Sequence, residues 1–65
     1  MSKKDYIKMA AIIRRERDSV QGISSDVSRQ AALVSIRIIA TNMADLFAAD
    51  NPMFNHARFI QACGL

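Results

Sequence analysis

The order of apolar and polar positions along the chain predicts three helices and no strand. Tyr6, Met9, Ala10 and Ile13 recur at spacings of three and four, which stacks them on one face of a helix. Ile7 and Ile12 fall on its flanks, and Lys4, Lys8 and Arg15 fall opposite. Ser2 with Asp5 three residues on makes a capping box, and Gly22 offers a left-handed stop, so the first helix is expected over about 3–20. Ser24 or Ser25 can cap a second helix, with Asp26 in its first turn to suit the positive helix end. No breaker follows until Pro52, so that helix is expected over about 25–49, ~37 Å long at 1.5 Å per residue. Asn-Pro at 51–52 reads as a turn. Asn55 can cap a third helix over about 55–63, stopped by Gly64.

The central segment "AALVSIRIIA" is apolar almost all the way round. As a helix it carries one strip of Val27, Ala31, Val34 and Ile38. A second strip, roughly opposite, holds Ala32, Ile36, Ile39, Met43 and Phe47 and is widened by Leu33, Ala40 and Ala44. Two short neighbouring helices can cover one strip but not both, and a helix apolar on all sides is normally buried. A second copy of the chain supplies the missing cover, so the expected architecture is an all-α, homodimeric helical bundle with a long central helix; a compact monomeric three-helix bundle with a modest exposed patch is the alternative. Ala32, Ile36, Ile39, Met43 and Phe47 are assigned to the dimer interface, and Phe54, Phe59 and Ile60 are expected to anchor the third helix.

Size sharpens that expectation. Sixty-five residues make one small domain, 1–65, and a core this small seldom supplies more than ~3–5 kcal/mol. Cys63 is the only cysteine and His56 the only histidine. An intrachain disulfide is excluded, a four-ligand zinc site is not expected, and self-association remains as support. The net charge of +3 comes wholly from residues 1–20, where Lys3, Lys4, Lys8, Arg14, Arg15 and Arg17 outnumber Asp5, Glu16 and Asp18. Lys4, Lys8, Arg14 and Arg15 are therefore the candidates to meet an acidic partner. The opening "MSKKDYIKMA" has no apolar run of the signal-peptide kind. Arg37 and Asp45 break the central segment into uncharged runs shorter than the ~20 residues of a membrane span. A protein of the cytoplasm is expected, with no membrane partner.

Catalytic chemistry finds little footing. His56 and Cys63 lie seven apart, nearly on one helix face, but a Cys–His pair needs an enclosing pocket and an oxyanion site. Asp45 and Asp50 are not spaced to face each other on a helix, and no glycine-rich phosphate loop is present. No enzyme activity, cofactor, metal or small-molecule substrate is expected. A helix-turn-helix alternative would use the third helix as reader, with Asn55, His56, Arg58 and Gln61 towards base edges. Its turn is longer than the usual three or four residues, and the helix carries one firm positive charge.

The opening "KKDYIKMAAIIR" and the closing "DNPMFNHARFIQACGL" together resemble a family of short bacteriophage and prophage open reading frames. The matching residues are Asp50, Asn51, Pro52, Phe54, Arg58, Phe59, Ala62, Cys63 and Gly64, with Asn55 in place of the usual aspartate. The likeness spans both ends and leaves the middle variable. It implies a phage source and a shared fold, and it brings no active site with it. The expected function is a small phage-encoded interaction protein that modulates or inhibits a host or phage macromolecular complex, anti-defence and anti-CRISPR work included. A small DNA-binding regulator is the alternative.

Overall fold

The computed structural model describes residues 1–65 and consists of three helices, α1 (Lys3–Val20), α2 (Asp26–Asp50) and α3 (His56–Ala62), with no strand. Each end is set by local chemistry. The Asp5 carboxylate reaches back to accept from the Ser2 backbone N–H at 2.9 Å and from its hydroxyl at 3.2 Å. Ser25 Oγ accepts from the Ser28 N–H at 3.3 Å and opens α2. Asn55 Oδ1 accepts from the Arg58 N–H at 3.0 Å and opens α3. At each of the three starts a side-chain oxygen thus occupies a backbone N–H that a helix start otherwise leaves without a partner.

The stops differ from one another. Gly64 takes φ +80, and its N–H reaches the Gln61 carbonyl while that of Leu65 reaches Ile60. Both bonds are those of a Schellman turn, which needs a left-handed residue at this point. Gly22 is not left-handed, contrary to the sequence expectation. Successive N–H groups of Gln21, Gly22 and Ile23 bond the carbonyls three residues back, so α1 ends by tightening into a short right-handed turn. Arg29 then donates from Nη1 to the Ile23 carbonyl at 2.9 Å and pairs with Asp26, which fastens the α1–α2 connection to the start of α2.

α1 and α2 form a helical hairpin. α3 runs along α1 in the same direction, with Phe54 beside Tyr6 at one end and Gly64 against Arg17 at the other. All three pairs of helices touch, and the molecule measures 39 × 18 × 14 Å, its long axis set by α2. The core lies towards one end. Ala10 and Ile13 of α1, Ala40, Ala44 and Phe47 of α2, and Phe59 and Cys63 of α3 form one buried cluster. Tyr6, Phe47, Phe54 and Phe59, the chain's four aromatic residues, meet there with ring centroids 4.7–5.7 Å apart in tilted and edge-to-face contacts. Edge-to-face rings match positive ring edges to negative ring faces, a gain beyond simple burial. The alanines at 40 and 44 carry no side chain beyond Cβ and let the three backbones come close. Before Ala40, α2 has no buried residue.

Which strip of α2 turns inward corrects the sequence reading. The strip assigned to a second copy faces the chain's own helices. Phe47 is buried among the aromatic rings, and Ile36 and Met43 pack half-buried against the core. Ala32 lies half-covered at its edge, and only Ile39 stands well out, 56% exposed. The free strip is the other one: Val27 is 82% exposed, Val34 56% and Ile38 55%, with Ala31 exposed between them. α1 and α3 together cover most of the broader strip, and the narrower is left to solvent.

Candidate functional site

Three surface features follow from this arrangement. The first is the outer face of α1. Lys4, Lys8, Arg14 and Arg15 are all exposed, and none of them takes part in an ion pair within the chain. Ile7 and Ile12 stand among them, 58% and 52% exposed. The face is therefore a basic ridge studded with two aliphatic side chains, fixed on a helix whose opposite side is buried. Arg17 is set apart from the ridge, folded against Gly64 and paired with Asp18 at 2.8 Å.

The second feature is a groove of about 290 Å³ between α1 and α2, lined by Met9, Ile12 and Ile13 on one wall and Ile36, Ile39 and Met43 on the other. Glu16 at its rim is the sole polar lining residue. Three residues assigned from sequence to the dimer interface, Ile36, Ile39 and Met43, thus form one wall of an intrachain groove. The third feature is the bare strip of α2 described above.

α3 and the start of α1 border a wider, more open groove of about 600 Å³, with Tyr6, Ile7, Phe54, Arg58 and Ala62 among its walls. His56 Nε2 lies 2.9 Å from Asp45 Oδ1, a surface pair that ties the start of α3 to the last turns of α2. Phe59 is buried, while Phe54 and Ile60 are half-buried against the same core. Of the four side chains considered for base contact, Asn55 is engaged as a cap and His56 with Asp45; Arg58 and Gln61 are exposed. The Cys63 thiol is buried in the core, and burial there pushes its pKa up from 9.0. A thiol held protonated and away from solvent is a poor nucleophile. His56 and Cys63 therefore have separate surroundings and do not form a catalytic pair.

Sequence reasoning missed the His56–Asp45 contact. The signal was the shortness of the 51–55 connection, which forces α3 to start beside the end of α2. It also missed that Arg29 serves as a strap, although Arg29 stands three residues after Asp26 at helical spacing. α2 is long and apolar enough to cross a membrane by length and mean hydropathy, and 17% of its most apolar window is buried. Arg37 and Asp45 do not bring it below that mark, although they keep its uncharged runs short. No family model, no curated protein and no solved structure matches this chain.

Proposed function

We propose that the chain is a self-associating helical interaction protein that acts by covering a surface of a macromolecular partner. The observation that carries this reading is the extent of large apolar side chains on the outside of so small a molecule, from Ile7 and Ile12 on α1 to Val27, Val34, Ile38, Ile39 and Leu46 on α2. The basic ridge of Lys4, Lys8, Arg14 and Arg15 steers approach to an acidic surface, while Ile7 and Ile12, once desolvated, set the rate of departure. A phage source, a place in the cytoplasm of the bacterial host, and inhibition of a host or phage complex by occlusion, anti-CRISPR work among the forms it takes, belong to the same proposal. They draw on the resemblance of the two ends of the chain to phage reading frames.

The test is capture from host lysate by the tagged protein, run beside Arg14→Glu, Arg15→Glu in one variant. A protein retained by the first and lost by the second supports the reading. Recovery of nothing, or of the same proteins by both, sinks it. The second reading, DNA regulation through the same ridge, draws on the four unpaired cations. Phosphate binding weakens steeply with salt as counterions are released, so absence of a gel shift at low salt removes it.

A further inference from the structure

The bare strip of α2 carries a more specific assignment, which rests on the proposed self-association. Val27, Ala31, Val34 and Ile38 are spaced by four, three and four residues, the spacing that keeps a narrow seam facing one partner helix. We infer that this seam is covered by the α2 of a second copy lying antiparallel across a two-fold axis, with Arg37 of each chain facing Asp26 of the other.

The area is of the right order. A folded chain of 7.2 kDa ordinarily exposes about 4,100 Å², whereas this one exposes 4654 Å². The excess, roughly 500 Å², is comparable with the ~800 Å² each partner contributes to a standard interface. Half of α2 has no buried residue, and that half holds the seam.

Orientation follows from charge. Continued at the same spacing, the seam reaches Thr41 and then Asp45. Two parallel helices would set Asp45 directly against its own copy, like charge on like. Antiparallel helices that place Val27 against the partner's Ile38, and Ala31 against the partner's Val34, pair every apolar seam residue with another. They carry Asp45 past the beginning of the partner's α2. In that alignment Arg37, exposed and without an ion-pair partner in its own chain, comes level with the first turn of the partner's α2. Asp26 sits there, on the same side of the seam, with Oδ1 on Arg29 and Oδ2 free. Ser28, Gln30, Ser35 and Asn42 make up the rest of the flanks, which suits a dry seam with a wet rim. A bilayer is a worse cover, because seating the same seam in hydrocarbon carries Arg37 towards the apolar interior with no counter-charge.

Two single-cysteine substitutions read the geometry. Cys63 is fully buried, so the unsubstituted protein serves as the unreactive control. In the inferred pairing the two copies of residue 31 lie about 10 Å apart, at ordinary helix separation, and the two copies of residue 42 about 30 Å apart. A short bis-maleimide is expected to join Ala31→Cys into covalent dimers in good yield and to leave Asn42→Cys almost wholly single. Light scattering on the unmodified chain is expected to give twice the chain mass at high micromolar concentration. Val34→Glu should halve that mass with helicity retained, and Leu46→Glu, off the seam, should keep it. Several outcomes overturn the inference: a single-chain mass for the unmodified protein, linkage of Asn42→Cys, failure of Ala31→Cys to link, an unchanged mass for Val34→Glu, or co-sedimentation of a single-chain species with neutral phosphatidylcholine vesicles. The α1 cations are intact in every variant, so lysate capture by Val34→Glu separates loss of the dimer from loss of the partner.

Discussion

Phe47 and Leu46 are neighbours in sequence and opposites in the fold, which makes them a direct test of how α2 is turned. Phe47 is 5% exposed and touches three other rings, Tyr6 at 5.0 Å and Phe54 and Phe59 at 5.5 Å. Phe47→Ala removes a buried ring at the meeting point of all three helices and leaves a cavity whose walls belong to different helices. Such truncations cost about 3–5 kcal/mol. A core of this size supplies about the same, so the variant should be largely unfolded at room temperature. Phe47→Leu keeps much of the volume and leaves a smaller cavity, so it should lose less than Phe47→Ala and keep a cooperative transition earlier than the parent's. Leu46 is 66% exposed, and Leu46→Ala should stay within about 0.5 kcal/mol of the parent. Far-UV circular dichroism across a urea series at one fixed protein concentration gives all three. A Phe47→Ala protein with a cooperative transition close to the parent's, or a Leu46→Ala protein as damaged as Phe47→Ala, would show that α2 is turned the other way and would refute the packing described.

Three further outcomes follow from single sites. Gly64→Ala forces a Cβ onto a residue at φ +80 and to within 3.1 Å of Arg17 Cδ. It should lower stability by about 1–2 kcal/mol, readable as a lower denaturation midpoint, whereas Gly22→Ala, with no left-handed φ to defend, should not. Burial holds the Cys63 thiol protonated in the folded chain above its ordinary 9.0. The unfolded chain releases that proton first, so stability should fall as pH rises from 9.0 upward; Cys63→Ala should flatten this alkaline limb. The Ser2 N–H and hydroxyl hold Asp5 below its ordinary 3.8, a contribution present above that value and lost as pH falls through the lower folded pKa. Asp5→Asn should remove this acid-limb dependence, followed as helicity against pH.

Local chemistry made the helices legible. Ser25, Asn55 and Gly64 each hold the end their residue type implied, because a cap is decided within a single turn and hardly consults the rest of the fold. The orientation of α2 was not legible by the same means. Both of its strips are aliphatic, and hydrophobic spacing alone says that each wants cover without saying which gets it. The deciding residues were Ala40 and Ala44, counted as mere widening of one strip. Small side chains four apart, next to Phe47, mark where three helices can close on one another. Gly22 was misjudged because a glycine permits a left-handed turn without requiring one. The basic ridge could be placed from sequence, since its spacing depends on α1 alone. The α1–α2 groove could not, because it exists only once two separately coded faces are brought side by side.

All four aromatic residues gather at one pole of a molecule 39 Å long, while the opposite pole, around residues 21–29, is held by little more than Val20, Ile23 and the Arg29 strap. Resistance to opening must therefore decline along the long axis. Amide protons near Phe47 and Phe59 should exchange with solvent only through global unfolding, and those near Gly22 through small, frequent breaths of the hairpin tip. A protease offered the native protein would make its first cut at that tip. The first half of α2 would thus keep its shape least by its own means, and it is this half that the inferred pairing of two copies would steady.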